Sequence, residues 1–251
     1  MQKRLLFLLK TTIFWLLLFL VARFLFECYN FTGTKDLTIG EIILTFLHGF
    51  RLDLSMTSYF MLAYGLIVAV SVFFKGKYIH KIVNGLTYLL IFTSLFIVVV
   101  DFELFRNWGF RMDATPLQYI NTPGAALAST PYWATVLFVL FWILLSTTAS
   151  VLYSRYISKE LLSLEKIRWY FSPLLILLTA TYVVSARGTF SEWPIRVSTV
   201  AFSTKQFANH ASINVVWNFM RALSKKKGAK VNTQLIDHKT AKTIFTSIQP
   251  T

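Results

Sequence analysis

Five stretches of the chain run apolar for about 20 residues each, the length an α-helix needs to cross a hydrocarbon core of about 30 Å. They fall at Leu5 to Phe26, Leu54 to Phe74, Ile79 to Val100, Tyr132 to Tyr153 and Tyr170 to Ala186, with the charged residues gathered in the links between them. The pattern predicts an all-α integral membrane protein with five transmembrane helices and interfacial helices on the outer face. The first run is too long for the apolar core of a signal peptide, and "FLVARFLFECYN" offers no small-x-small cleavage site, so it reads as a retained anchor. Lys10 and Arg23 lie within a turn or so of its ends, where long cationic side chains snorkel to the interface. No predicted span carries a charge at its centre, which weighs against a transporter, proton pump or ion channel.

Beyond the fifth run, Pro194 sets a bend in an extended strip. A helix is then predicted from about Lys205 to Leu223, on which Phe207, Ala211, Val215, Asn218 and Phe219 recur at helical spacing. The expected organisation is a five-span domain over residues 1–187, an extracytoplasmic juxtamembrane segment over 188–225, and a flexible polar linker over 226–251. Thr115 and Pro116 open a further stretch, "TPLQYINTPGAALASTP", that reads as a helix lying on the membrane.

Composition strengthens the membrane reading, since 55% of residues are hydrophobic and only 14% charged, against roughly 25% charged in soluble domains. Cys28 is the single cysteine, which excludes an internal disulfide and a cysteine-based metal site. Lysine and arginine decide orientation. Lys3, Arg4 and Lys10 sit at the start of the chain, Lys75, Lys77 and Lys81 in the link from span two to span three, and Arg155, Lys159, Lys166 and Arg168 in the link from four to five. The alternate links are rich in acids, so the N-terminus is expected in the cytoplasm and the C-terminus outside. The net charge of +14 is then shared between the cytoplasmic rim and an outward tail facing anionic lipid. Nucleic acid is not an expected partner.

One phrase occurs twice. "HGFRLDLS" at 48–55 and "WGFRMDAT" at 108–115 share the pattern Gly-Phe-Arg-x-Asp-x-Ser/Thr, and the predicted topology puts both on the outer face. In the first copy Asp53 and Ser55 suit the N-terminus of the second span, where a carboxylate or hydroxyl meets unpaired N–H groups. One reading gives Arg51, Arg106, Arg111, Arg187 and Arg196 to the phosphate of an anionic phospholipid headgroup, with Asp53, Asp101, Glu103 and Asp113 holding the guanidinium groups in place. The other has Arg51, Asp53, Arg111 and Asp113 pair across the two copies and lock two hairpins together. His48 with the same acids lacks the spacing that puts two metal ligands on one helical face, so no metal site is expected. A nucleophile elbow, a P-loop and a dinucleotide-binding fingerprint are absent from the sequence, and no catalytic residue is assigned.

The phrases "LHGFRLDLSMTSYF", "DFELFRNWGFRMDATPLQYINTP" and "FSTKQFANHASINVVWNFM" together resemble the N-terminal membrane half of bacterial lipoteichoic acid synthase-like proteins, over most of residues 1–225. The resemblance implies a five-span anchor in a bacterial cytoplasmic membrane, joined to an outward-facing α/β domain of the sulfatase and alkaline phosphatase superfamily. Such a domain implies a metal-dependent phosphotransferase or sulfatase with a Thr or Ser nucleophile, acting on a phospholipid headgroup. This sequence departs from that pattern where the domain should open. "INVVWNF" at 213–219 matches its first strand in part, but no metal-binding acid follows and only Asp237 remains among acids. The expectation is therefore a non-catalytic anchor and lipid-headgroup platform. Any divalent metal would belong to a catalytic domain lost by truncation or encoded separately. The alternative is a stand-alone integral membrane subunit or small transporter.

Overall fold

The computed structural model describes residues 1–116, 131–189 and 194–228, and among these every regular element is helical. In chain order they are α1 (Gln2–Tyr29), α2 (Phe31–Thr34), α3 (Ile39–Val70), α4 (Gly76–Trp108), α5 (Tyr132–Tyr153), α6 (Lys159–Leu162), α7 (Phe171–Arg187), α8 (Gln206–Ala211) and α9 (Val215–Gly228). A 3-10 turn at Ser71–Phe73 prolongs α3, a π-helical turn at Ser154–Ser158 joins α5 to α6, and a further 3-10 turn spans Val197–Val200. Four of these units are long and apolar enough to cross a membrane: α1, α3 with its 3-10 turn, α4, and α5 through α6. The fifth apolar helix, α7, has 17 residues and spans only about 25 Å.

The second apolar helix differs most from its sequence reading. It starts not at Leu54 but at Ile39, where Thr38 and Glu41 form a reciprocal cap: Glu41 N donates to Thr38 Oγ1 (3.2 Å) and Thr38 N donates to the Glu41 carboxylate (2.8 Å). Two orphan donors are thereby satisfied, and no helix breaker intervenes before Val70. Asp53 and Ser55 consequently lie in the helix interior rather than at its N-terminus, and Asp53 is a charge near the middle of a 32-residue helix. The third helix likewise continues past Val100 to Trp108, where Gly109 at φ 74° closes it and donates to the Phe105 carbonyl.

The predicted amphipathic helix from Lys205 to Leu223 is two helices. Asn214 interrupts it by accepting the amide of Trp217 (3.0 Å) in an N-cap, which fixes the start of α9 and turns it away from α8. The helix expected along 115–131 and the linker over 226–251 fall mostly outside the described residues.

The bundle closes around aromatic rings. Trp15 of α1 lies 4.5 Å from Phe60 of α3, and Phe7, Tyr64 and Tyr153 are fully buried beside it. Helix α7 lies along α3 at close range, because a side chain at Gly65 would meet Thr179 Oγ1 at 2.2 Å. At one end of the bundle the buried Arg4 ties α1 to both nearby links, donating to Ser71 Oγ (2.9 Å) and to the Glu165 carbonyl (2.9 Å). This is the end that carries the lysine-rich links. Helices α8 and α9 cap the opposite end.

Candidate functional site

Under the cap lies a cluster of buried charges. Arg23 of α1 donates to the Asp53 carboxylate of α3 (2.7 Å) and to the Ala211 carbonyl (2.6 Å), and the side chains of the pair are only 3% and 5% exposed. The other Asp53 oxygen accepts from Asn214 Nδ2 (2.8 Å). Two residues further along α3, Ser55 donates to the Ala186 carbonyl (2.5 Å) and accepts from the Trp217 indole (3.1 Å). A guanidinium buried here needs an acid within reach, and Asp53 supplies it.

The second charged pair completes the clamp from α4. Arg111 Nε lies 2.9 Å from Asp101 Oδ2, while the other Asp101 oxygen accepts the Met112 amide (2.6 Å). The Arg111 guanidinium also lies over the Phe26 ring, 3.8 Å from its centroid, and donates to the His210 carbonyl (3.3 Å). Burial pushes this guanidinium below its ordinary value, opposed by the charge of Asp101. Asn218 Nδ2 donates to the Met112 carbonyl (2.9 Å). Nearby, Glu27 accepts from Thr45 (2.5 Å).

The two copies of the repeated phrase thus meet, although not through each other. The first contributes Gly49, Asp53 and Ser55, the second Arg111 and the Met112 carbonyl, and both grip the segment from Ala208 to Asn218. A side chain at Gly49 would stand 2.1 Å from Arg23 Cζ, so this glycine makes room for the guanidinium. The expected pairing among Arg51, Asp53, Arg111 and Asp113 is replaced by partners outside the phrase: Arg23 for Asp53, and Asp101 for Arg111. Asp113 accepts the amide of Thr115 (2.8 Å) and closes its own turn.

Of the five arginines assigned to lipid phosphate, Arg111 is inside the protein and engaged with Asp101, which removes it from the lipid-facing surface. Arg51, Arg187 and Arg196 are exposed and lie at or against the turn after α7: the Arg51 side chain donates to the Thr199 carbonyl (3.4 Å), while main-chain bonds from the Arg196 amide to Thr199 Oγ1 (3.1 Å) and from the Ile195 amide to the Arg187 carbonyl (2.9 Å) shape the turn. Arg106 stands apart, paired with Glu103 (2.6 Å), which also accepts from Tyr29 (2.5 Å). Among the described residues no three of His, Cys, Asp and Glu converge as metal ligands, and His48 stacks on Phe202 at 4.7 Å.

Arg23, expected to snorkel to the interface, is instead buried and paired with Asp53, and sequence reasoning missed Gly49 and Asn214. Arg23 carried a signal, since a charge inside an apolar run demands an opposite charge from another helix. Gly49 carried none, because its role depends on where the Arg23 side chain ends.

His210 provides a pH handle on the cap. Its ring packs on Phe105 (5.5 Å between centroids), its Nδ1 is buried without a hydrogen-bond partner, and burial together with the Arg111 charge lowers its pKa. The unfolded chain therefore takes up a proton at this position near pH 6.5, before the folded one does. Its contribution is present above about pH 6.5 and is lost progressively as pH falls below that value through the lower folded pKa. Protection factors at 206–218, corrected for the pH dependence of intrinsic exchange, are expected to fall between pH 7.5 and 5.5, and His210→Gln to flatten the change; a profile identical in the variant means that another group titrates.

The fold and the clamp define a helical-bundle protein with, among the described residues, four helices of membrane-spanning length and apolarity, and a small helical cap docked on one end. Compared with known protein families, curated proteins and solved structures, the chain matches none.

Proposed function

We propose that this chain is the membrane anchor and lipid-headgroup platform of a lipoteichoic acid synthase-like phosphotransferase or sulfatase, non-catalytic in itself. In this reading it crosses a bacterial cytoplasmic membrane five times, α7 being the short fifth span, with the N-terminus inside and the cap on the outer face. The observation that carries the reading is that Arg51, Arg187 and Arg196, all exposed, lie at or against one turn after α7, which the Arg221 side chain ties to α9 through the Ile195 carbonyl. Guanidinium groups present paired donors that match phosphate oxygens, and a docked cap keeps them at a fixed height above the bilayer. A catalytic domain acting on the headgroup would then find its substrate presented at a defined place.

The buried charges weigh against the transporter alternative. Arg23, Asp53, Arg111 and Asp101 are closed off in pairs by backbone and amide partners, and the cavity lined by the first three offers about 10 Å³, room for about one water molecule. Ion movement through a site needs more free volume and a looser grip.

The test compares binding of vesicles rich in phosphatidylglycerol with vesicles of phosphatidylcholine. A basic residue near an anionic surface contributes about 1 kcal/mol, so Arg51→Ala with Arg196→Ala is expected to weaken the phosphatidylglycerol preference by roughly 10- to 30-fold at unchanged thermal stability. An unaltered preference in a folded variant removes the platform role.

A further inference from the structure

A long groove runs down the side of the bundle, away from the charge clamp. Its walls are α1 and α5, through Ile13, Leu17 and Val21 on one side and Leu145, Ala149 and Leu152 on the other, and Leu95 of α4 belongs to its lining. The lining is almost wholly apolar, and the groove is open along its outer side. On α1 it extends from Lys10 to Leu25, roughly 22 Å at 1.5 Å per residue. Its volume is about 500 Å³.

These dimensions discriminate between occupants. Spread over that length, the volume leaves a mean cross-section of roughly 23 Å², whereas an α-helix with its side chains is about 10–12 Å across and needs several times that area. A helix from a second copy can lay a ridge of side chains along such a groove but cannot lie within it. Water has no polar partners on the apolar walls, and an empty groove forfeits the dispersion contacts of every side chain lining it. A single hydrocarbon chain is the one component of a bilayer that is narrow, long and apolar enough to fill it.

The charged groups are at one mouth only, Thr148 being the one polar lining residue away from it. Lys10, ion-paired to Glu160 at 2.6 Å, and Tyr156 line that mouth, and the Arg155 guanidinium lies 5.9 Å from the Tyr156 ring centroid. The opposite mouth, at Val21 and Leu25, is apolar. We infer that the groove between α1 and α5 is a binding site for one acyl chain of a membrane phospholipid, whose headgroup phosphate sits at the Lys10 end beside Arg155. This site is separate from the headgroup platform at the capped end and does not depend on it.

The experiment uses the full chain in phosphatidylcholine nanodiscs doped with phospholipids that carry a photoreactive diazirine either near the carbonyl or near the terminal methyl of one acyl chain. After photolysis, adducts are mapped by mass spectrometry. Expected are adducts concentrated on α1 and α5 residues of the groove, near Tyr156 for the carbonyl-proximal probe and towards Leu25 for the methyl-proximal one. Leu17→Trp and Leu152→Trp place bulk at half-exposed rim positions that the fold tolerates, and each should lower groove adducts by roughly tenfold. Adducts spread evenly around the bundle, a reversed order for the two probes, or adducts that leave the groove residues unlabelled would overturn the proposal. Should a tryptophan variant misfold, the order of the two probes in the native chain decides alone. Neither variant touches Arg51 or Arg196, so a failure here leaves the platform reading to its own test.

Discussion

Alanine in place of Asp53 is expected to destabilise the protein by about 3–5 kcal/mol, the range found when one partner of a buried ion pair is removed. The variant leaves Arg23 with its side chain 3% exposed and no counter-charge at 2.7 Å, and it strands Asn214 Nδ2 at the start of α9. The cost falls on the cap first, because Asp53 touches Arg23 and Asn214 together and Arg23 in turn holds the Ala211 carbonyl. Denaturant titration in detergent measures the total. Hydrogen exchange over 208–218 shows whether the cap loosens before the bundle. Replacing the pair as a whole, Arg23→Met with Asp53→Leu, should recover much of the loss, since no unpaired charge remains, and the two single costs should then fail to add. A loss below about 1 kcal/mol for Asp53→Ala would mean that the guanidinium reaches solvent, and the clamp would not be what holds the cap.

How much of this was legible in the sequence depends on the range of the interaction. The apolar runs announce α1, α3, α4, α5 and α7, because a helix that buries its backbone polar groups in hydrocarbon needs only length and apolarity. Boundaries were harder. "TIGE" spells the reciprocal cap that starts α3 at Ile39, yet hydropathy places the start at Leu54, because Glu41, Arg51 and Asp53 have the charge pattern of a link rather than of the first half of a spanning helix. Asn214 has the same standing: an Asn before "VVW" is an N-cap signal, outweighed by a periodic pattern that ran through it.

The site was legible in membership and not in pairing. Asp53, Asp101 and Arg111 stood out as charges next to apolar runs, and all three are in the clamp. Their partners are separated in sequence by 30 residues for Arg23 with Asp53 and by 161 for Asp53 with Asn214, so only the packing of α1, α3, α4 and the cap decides who meets whom. The repeated phrase invited a symmetric pairing that the helices do not permit. Its first copy lies inside α3 and its second follows the end of α4, so equivalent letters face different surroundings.

The two glycines of the phrase make that difference measurable. Gly109 is needed for its backbone, at φ 74°, and a side chain there meets nothing within 4 Å. Gly49 is needed for its emptiness, in ordinary helical backbone, with Arg23 Cζ 2.1 Å from where a methyl group would stand. Gly49→Ala is therefore expected to push the guanidinium off Asp53 and the Ala211 carbonyl and to cost about 3 kcal/mol, close to the loss of the ion pair itself. Helix propensity alone predicts the opposite sign, a gain of about 0.5–1 kcal/mol for alanine inside a helix. Gly85→Ala supplies that baseline, because the site is exposed in α4 and a side chain there meets nothing within 4 Å; it should be neutral to stabilising. The comparison needs only the two denaturation midpoints measured side by side. If Gly49→Ala moves with Gly85→Ala rather than with Asp53→Ala, the Arg23 side chain has another resting place, and the packing that joins the first copy of the phrase to α1 would have to be redrawn.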